Sequence, residues 1–228
     1  MNNVPRLLLV GAHGRMGRAV AAAAAKEPGL TIKAELGRED PITPGIDGCD
    51  VVIDFSSANA TEAVCRACAE HRKALVLGTT GHNATQKTSI AAAARLIPIV
   101  FAANFSVGVN ALFALTRRAA ELLGSEFDVD VIEMHHRTKK DAPSGTAKRL
   151  VEILSGVGEA HRPVATHSIR AGDIVGDHMV IFTGPGERLE LIHRATSRET
   201  FAAGALRAAR WIVDQPAGLY SMENVLGF

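Results

Sequence analysis

Hydrophobic and polar positions follow two different patterns along this chain, and the change falls near residue 105. Up to that point short apolar runs alternate with stretches of helical period. The runs Leu7 to Val10, Thr31 to Leu36, Val51 to Phe55, Leu75 to Leu77 and Ile97 to Phe101 are predicted strands. Between them Arg15 to Lys26, Ala60 to Arg72 and Thr85 to Arg95 are predicted helices. Strands separated by helix-length segments imply crossover connections and a parallel sheet. Strands covered on both faces should be continuously apolar, as Val51-Val52-Ile53 and Leu75-Val76-Leu77 are.

Beyond residue 106 a helix is predicted over Asn110 to Leu123, ended by Gly124. Phe127-Asp128-Val129-Asp130-Val131 then alternates apolar with acidic, the pattern of a strand buried on one face. His178 to Thr183 and Arg188 to His193, joined by Gly184-Pro185-Gly186, suggest a hairpin. Thr200 to Asp214 is helical in period, and a tail follows through Tyr220. The expected architecture is α/β: a parallel-sheet domain over residues 1–105, then an α+β domain over 106–199 with a mixed or antiparallel sheet.

Bulk properties narrow the function. The 228 residues carry a net charge of +1, and the basic pairs Lys139-Lys140 and Arg117-Arg118 are too short for a nucleic-acid footprint. Aromatic residues are only 4% of the chain, which argues against base stacking. The longest apolar runs, such as Ala19 to Ala25, fall far below membrane-spanning length. Residues 1–10 run into glycines as a buried strand would and lack signal-peptide features. Three cysteines, an odd count, suggest a reducing compartment, and Cys65-x-x-Cys68 falls mid-helix, where buried packing is favoured over redox work. A cytoplasmic protein is expected.

Gly11-Ala12-His13-Gly14-Arg15-Met16-Gly17 follows the first strand and opens the first helix. Glycines there permit a tight turn and close approach to a pyrophosphate at a helix N-terminus, so a Rossmann-like nucleotide domain is expected. The second strand ends at Leu36-Gly37-Arg38-Glu39, with glycine where an acid would hold the ribose of NAD. Arg38 suits a 2′-phosphate, which inclines the reading to NADPH over NADH; the competing reading is a solvated loop cation. Gly78-Thr79-Thr80 and Ala102-Ala103-Asn104-Phe105 follow later strands on the same edge, where small residues admit a nicotinamide and Asn104 can bond its carboxamide.

The segment from Glu133 to Leu150 carries the chemistry. It places His135 and His136 at the end of a strand, Lys139 just after them, and Pro143 at the start of a helix with Ser144-Gly145-Thr146. A proton source, a cation and anion-binding donors thus fall together, as a carboxylate substrate that must be protonated would require. Strand neighbours point to opposite faces, so one imidazole is expected to lead, with a structural role as the competing reading for one of the two. A metal site is disfavoured, because adjacent histidines lack the usual spacing and Lys139 and Arg137 would repel a cation. Ser144 could also be a plain helix cap.

These residues resemble the 4-hydroxy-tetrahydrodipicolinate (dihydrodipicolinate) reductase family. The resemblance rests on E-x-H-H-R-x-K-x-D-A-P-S-G-T-A from Glu133, G-x-x-G-R-M-G from Gly11, the Gly78-Thr79-Thr80 turn, F-A-A-N-F-S-V-G-V-N from Phe101 and R-A-G-D-I-V-G-D-H from Arg170. It implies hydride transfer from NADH or NADPH to C4 of a cyclic dicarboxylate imine in diaminopimelate and lysine biosynthesis. By the same resemblance His135 is the proton donor and Lys139 the second catalytic residue. His136, Ser144, Gly145 and Thr146 grip substrate carboxylates. Gly11 to Met16, Gly78 to Thr80 and Ala102 to Phe105 touch the cofactor. A homotetramer built through the C-terminal sheets is also implied, with residues from about 200 to 228 returning to the first domain. Departures are a compressed stretch between Arg38 and Val51, glycine at position 37, and Ser57 where some members carry arginine. The competing readings are a related oxidoreductase acting on another small carboxylate and a non-catalytic dinucleotide sensor.

Overall fold

The computed structural model describes residues 4–38, 40–157 and 163–228, which form two compact units: 4–106 with 199–228, and 107–198. The first unit holds a six-stranded, all-parallel sheet. Its strands are β1 (Arg6–Val10), β2 (Thr31–Leu36), β3 (Val51–Asp54), β4 (Ala74–Leu77), β5 (Pro98–Phe101) and β10 (Gly218–Tyr220), in the order β10-β5-β4-β3-β1-β2. Helices α1 (Arg15–Ala24), α2 (Thr43–Ile46), α3 (Thr61–Glu70), α4 (Ala84–Ala93), α7 (Glu199–Ile212) and α8 (Met222–Leu226) complete it.

The period of two decides the layers. Leu7 and Leu9 of β1 join a core with α1, α7 and α8, whereas Leu8 and Val10 join a second core with α3 and α4. The inner strands β3 and β4 are buried at every position, and the edge strand β2 alternates. The order in which strands are added reverses between β1 and β3, so their carboxyl ends open the crevice where such folds take ligands. α7 lies close on this unit: a Cβ on Gly204 would stand 1.8 Å from the carbonyl oxygen of Phe105, so only glycine fits.

The second unit has a four-stranded mixed sheet ordered β7-β6-β8-β9, formed by β6 (Asp128–His135), β7 (Ala165–Arg170), β8 (Gly176–Gly184) and β9 (Glu187–Ala195). β6 runs parallel to β7 and antiparallel to β8, which pairs with β9 as the expected hairpin. Helices α5 (Val107–Leu123) and α6 (Gly145–Ser155) join this sheet in one core with Val129, Val131, Val180 and Phe182.

Several predicted boundaries move. The helices expected to reach Lys26, Arg72, Arg95 and Asp214 stop at Ala24, Glu70, Ala93 and Ile212. Arg72 has φ 52°, a left-handed conformation no α-helix can pass through. Pro143 does not start a helix: Ser144 is the N-cap of α6, and Pro143 precedes it after a cis peptide bond. Strands β7 and β10 and helices α2 and α8 escape the hydrophobic pattern altogether.

Candidate active site

In the second unit the sheet face that packs on α5 and α6 turns polar at one end. Glu133 and His135 are two apart on β6, so both side chains leave the same face. Across the ladder His135 sits opposite Arg170, and Glu133 sits opposite both Ser168 and His178. Glu133 is fully buried, and its carboxylate accepts from Arg170 at 2.6 and 2.9 Å and meets His135 Nδ1 at 2.5 Å. The Ser144 amide donates to it at 3.3 Å.

Burial alone would push the Glu133 carboxyl up. Hydrogen bonds from Arg170, Ser168 and His135 outweigh that effect and hold it at about 2, so it stays a carboxylate. For His135 the balance tips the other way. Burial lowers its pKa most, the Glu133 carboxylate raises it, and Lys139 and Arg170 lower it further. Desolvation, more than the neighbouring cations, thus sets the direction. His178 lies edge-on to His135, with ring centroids 5.2 Å apart, and burial drives its pKa down to about 3. It is therefore a neutral ring, bonded through Nε2 to the Ser144 hydroxyl at 3.1 Å.

Lys139 pairs with Asp141 at 2.8 Å in the connection between β6 and α6, and its charge is felt by both His135 and His178. His136 lies just beyond β6, where Nδ1 meets the Thr138 hydroxyl at 2.7 Å. The two adjacent histidines therefore take separate roles, and only His135 belongs to the buried network. Ser144 is the helix cap that the sequence allowed, and it is committed further. Its hydroxyl caps the Ala147 amide and bonds His178, and its own amide is used by Glu133. Next to it Gly145 is exposed, with nothing within 4 Å of where a Cβ would project, so that end of α6 is open to a ligand. Thr146 is half-buried and already has a partner.

In the first unit the glycine turn fits a nucleotide. Gly11 has φ 80°, and a Cβ there would meet the Phe55 backbone at 2.6 Å; at Gly17 it would meet the Gly11 carbonyl at 2.2 Å. The Gly11 and Ala12 amides both bond the Leu36 carbonyl, and Arg18 grips the His13 carbonyl at 2.9 Å. Gly14 caps α1 without a side chain, so the first-turn amides of Arg15 and Met16 meet no competing cap. A cavity of about 670 Å³ opens at this switch point, lined among others by Gly11, Gly14, Arg38, Asp40, Ser56 and Ser57. This is a volume suited to a ligand of cofactor size. At Gly78 a Cβ would collide with the Phe55 ring at 2.1 Å, so the turn after β4 must be glycine. Thr79 is buried and Thr80 exposed. Ala102 and Ala103 lead to Asn104, whose side-chain oxygen accepts from the Ser106 amide at 2.8 Å and so shapes its own turn. Phe105 is buried edge-on to Phe55.

Residues 5–105 match the family profile described as dihydrodipicolinate reductase, N-terminus, and residues 108–226 match the one described as its C-terminus. The chain belongs to the dihydrodipicolinate reductase family. It is accordingly an NAD(P)H-dependent oxidoreductase of the reduction step in diaminopimelate and lysine biosynthesis. The 4-hydroxy-tetrahydrodipicolinate reductase of Akkermansia muciniphila is 47% identical to it, with 97% of each chain covered. The reductase of the same name from Anaeromyxobacter sp. (strain Fw109-5) is 42% identical over the same shares. Among solved structures, the dipicolinate-bound dihydrodipicolinate reductase from Paenisporosarcina sp. TG-14 superposes with a TM-score of 0.83 at 22% identity, covering 97% of this chain and 99% of that one. A Corynebacterium glutamicum DAP dehydrogenase in complex with DAP matches at TM-score 0.61 and 14% identity, covering 97% and 93%, a likeness of fold alone.

Sequence reasoning passed over three members of the buried network. Glu133 heads the histidine motif, and its spacing from His135 is the signal that puts the two on one strand face. Arg170 and His178 stood in a second motif without a role, because pairing of β6 with β7 and β8 is what brings them in. In the first unit Asp40 was also missed. Its carboxylate accepts the Gly37 amide at 2.6 Å and stands on the cavity wall beside Arg38. Glu39 lies outside the described residues.

Proposed function

We propose that the chain reduces 4-hydroxy-tetrahydrodipicolinate (dihydrodipicolinate) to tetrahydrodipicolinate, with His135 as the proton donor and Lys139 as the cation that steadies the developing charge. The observation that carries this assignment is the buried Glu133–His135 pair beside Lys139. When bound, the reduced nicotinamide supplies the hydride. His135 offers a proton from its ring, Lys139 turns from Asp141 to a substrate carboxylate, and the open N-terminus of α6 at Gly145 receives the same dianion with His136 and Thr146. Ser144 contributes by holding that helix end through His178 and Glu133. That a relative with this fold binds dipicolinate, a planar two-carboxylate ring, supports the substrate class.

In the same proposal the first unit binds the cofactor through the Gly11–Met16 turn, Gly78 to Thr80 and Ala102 to Phe105, and the second unit binds substrate. Arg38 on the cavity wall favours NADPH, since position 37 carries no carboxylate to repel a 2′-phosphate; Asp40 offers an acceptor that NADH could use. The test is a coupled assay supplying the synthase product with each reduced cofactor in turn, followed by loss of absorbance. Turnover with either cofactor is expected, and Arg38→Ala should raise the KM for NADPH about tenfold while sparing NADH. Cofactor binding without any turnover would defeat the functional assignment.

A homotetramer is part of the proposal. Opposite the face packed on α5 and α6, Ile132, Met179 and Ile192 stand in register across three strands, with Ile192 and Ile169 each more than 40% exposed. Such a patch suits burial against a second copy. Light scattering on the intact protein should give four chains, and Ile192→Lys should lower that number; an unchanged monomer in both would exclude this face. The three buried free cysteines suit a reducing compartment, consistent with a cytoplasmic enzyme. Among the described residues, no helix is long and apolar enough to cross a membrane.

A further inference from the structure

The Glu133–Arg170 pair is larger than a simple structural ion pair needs to be. Arg170 gives two hydrogen bonds to the carboxylate, and it also donates to the Ile169 carbonyl at 2.8 Å and the Asp141 carbonyl at 2.6 Å. It therefore ties the strand that carries His135 to the connection that carries Lys139. Glu133 meets His135 at Nδ1. The other ring nitrogen, Nε2, has no hydrogen-bond partner among the described residues, and it is accommodated by the absence of a side chain at Gly176, where a Cβ would stand 3.0 Å away. One edge of the imidazole is thus committed and the other kept clear.

We propose that Glu133 and Arg170 are positioning residues for the reduction. The carboxylate fixes His135 with its N–H edge at Nδ1 and presents Nε2 to the substrate, while the guanidinium anchors that carboxylate and tempers its pull on the ring. The assignment rests on His135 being the proton donor. An ionised carboxylate cannot donate, so in the neutral ring the proton must sit on Nδ1, and the proton delivered in the reaction is the one that imidazolium carries on Nε2. After delivery the neutral ring already has the tautomer Glu133 requires, so no rearrangement precedes reprotonation from solvent.

The groups facing His135 come from every packed element. They are Glu133 on β6, Arg170 on β7, His178 on β8 with His193 behind it on β9, and Lys139 with Asp141 in the connection to α6. His178 stays neutral across the working range and so contributes no charge. Glu133 is the anion that favours the imidazolium in direct contact, and Arg170 opposes it. Because the acid form of His135 is the active one, kcat/KM should fall as pH rises through its pKa.

Opposite charges at this range move a pKa by about one unit or more, so the two variants should displace that falling limb in opposite directions. Glu133→Gln should move it to lower pH by about one unit, and Arg170→Gln should move it to higher pH by a similar amount. The double variant should fall between them. A merely structural pair would lower rate or stability in each variant and leave the limb in place, and that result, or movement of both limbs in one direction, overturns the proposal. Should Glu133→Gln fail to fold, Arg170→Gln compared with Arg170→Lys decides, since lysine restores the charge and should return the limb. Nitrogen-15 spectra of the wild-type His135 ring above its pKa give a second readout: an Nε2–H tautomer would also overturn it. Retention of turnover by His135→Gln would instead refute the proton-donor assignment, whatever the limb does.

Discussion

Replacing His135 with glutamine is expected to lower kcat by about 10²- to 10⁴-fold while cofactor affinity stays within about twofold, the loss typical of a positioned general acid. Glutamine fills much of the same space and still donates a hydrogen bond, so the Glu133 carboxylate keeps a partner and the fold should survive. Lys139→Ala should behave differently. The substrate carboxylate loses a charge partner before and during the reaction, so KM should rise together with a fall in kcat. Its ion pair with Asp141 in the free protein is partly exposed, so little stability depends on it. Steady-state rates on the synthase product, with cofactor binding followed separately by fluorescence, distinguish the two. A His135→Gln enzyme that turns over within tenfold of the wild type would end the assignment.

The second large effect concerns stability in acid. His178 is buried and neutral, with its pKa driven to about 3, whereas in the unfolded chain it titrates near its ordinary 6.5. Between those values the unfolded state binds a proton that the folded state does not. Stability is therefore fully present above about pH 6.5 and is lost as pH falls, at about 1.4 kcal/mol per unit for this one site. His135 and His193, both lowered by burial, act in the same direction. Glu133 does not add to the loss until pH drops below its unfolded value of 4.5, because its folded pKa is depressed to about 2. Urea denaturation at intervals from pH 7.5 to 4.5 should show the decline, and His178→Gln should flatten it by roughly one proton. Parallel slopes for the two proteins would show that His178 is charged in the fold.

What the sequence could disclose depended on how local the cause was. The parallel sheet was legible because β3 and β4 are unbroken apolar runs and the intervening segments have helical period. The Gly11 turn was legible because steric demand for glycine is a property of one turn. β7 was not, since Ala165-Thr166-His167-Ser168-Ile169-Arg170 is polar on an edge and gains its strand form only by pairing with β6. β10 was too short to show a period. At the candidate site, His135 and Lys139 stood out by residue type and spacing, whereas Arg170 and His178 arrive from other strands, at sequence distances no local pattern spans. Asp40 was hidden for a related reason: its role depends on the backbone turn at Gly37, which the alternation of apolar and polar positions does not encode.

The first unit is assembled from two separate stretches of sequence, 4–106 and 199–228, and this affects how it is made. α7 supplies one apolar layer beneath the sheet and β10 closes the edge beyond β5, yet both lie after residue 198. On a ribosome, residues 4–106 emerge early with Leu7, Leu9 and Val100 facing water and one sheet edge unpaired. The second unit, contiguous in sequence, can fold before them. Dinucleotide capture is thus expected only once the segment beyond residue 198 has joined the sheet that residues 4–106 begin.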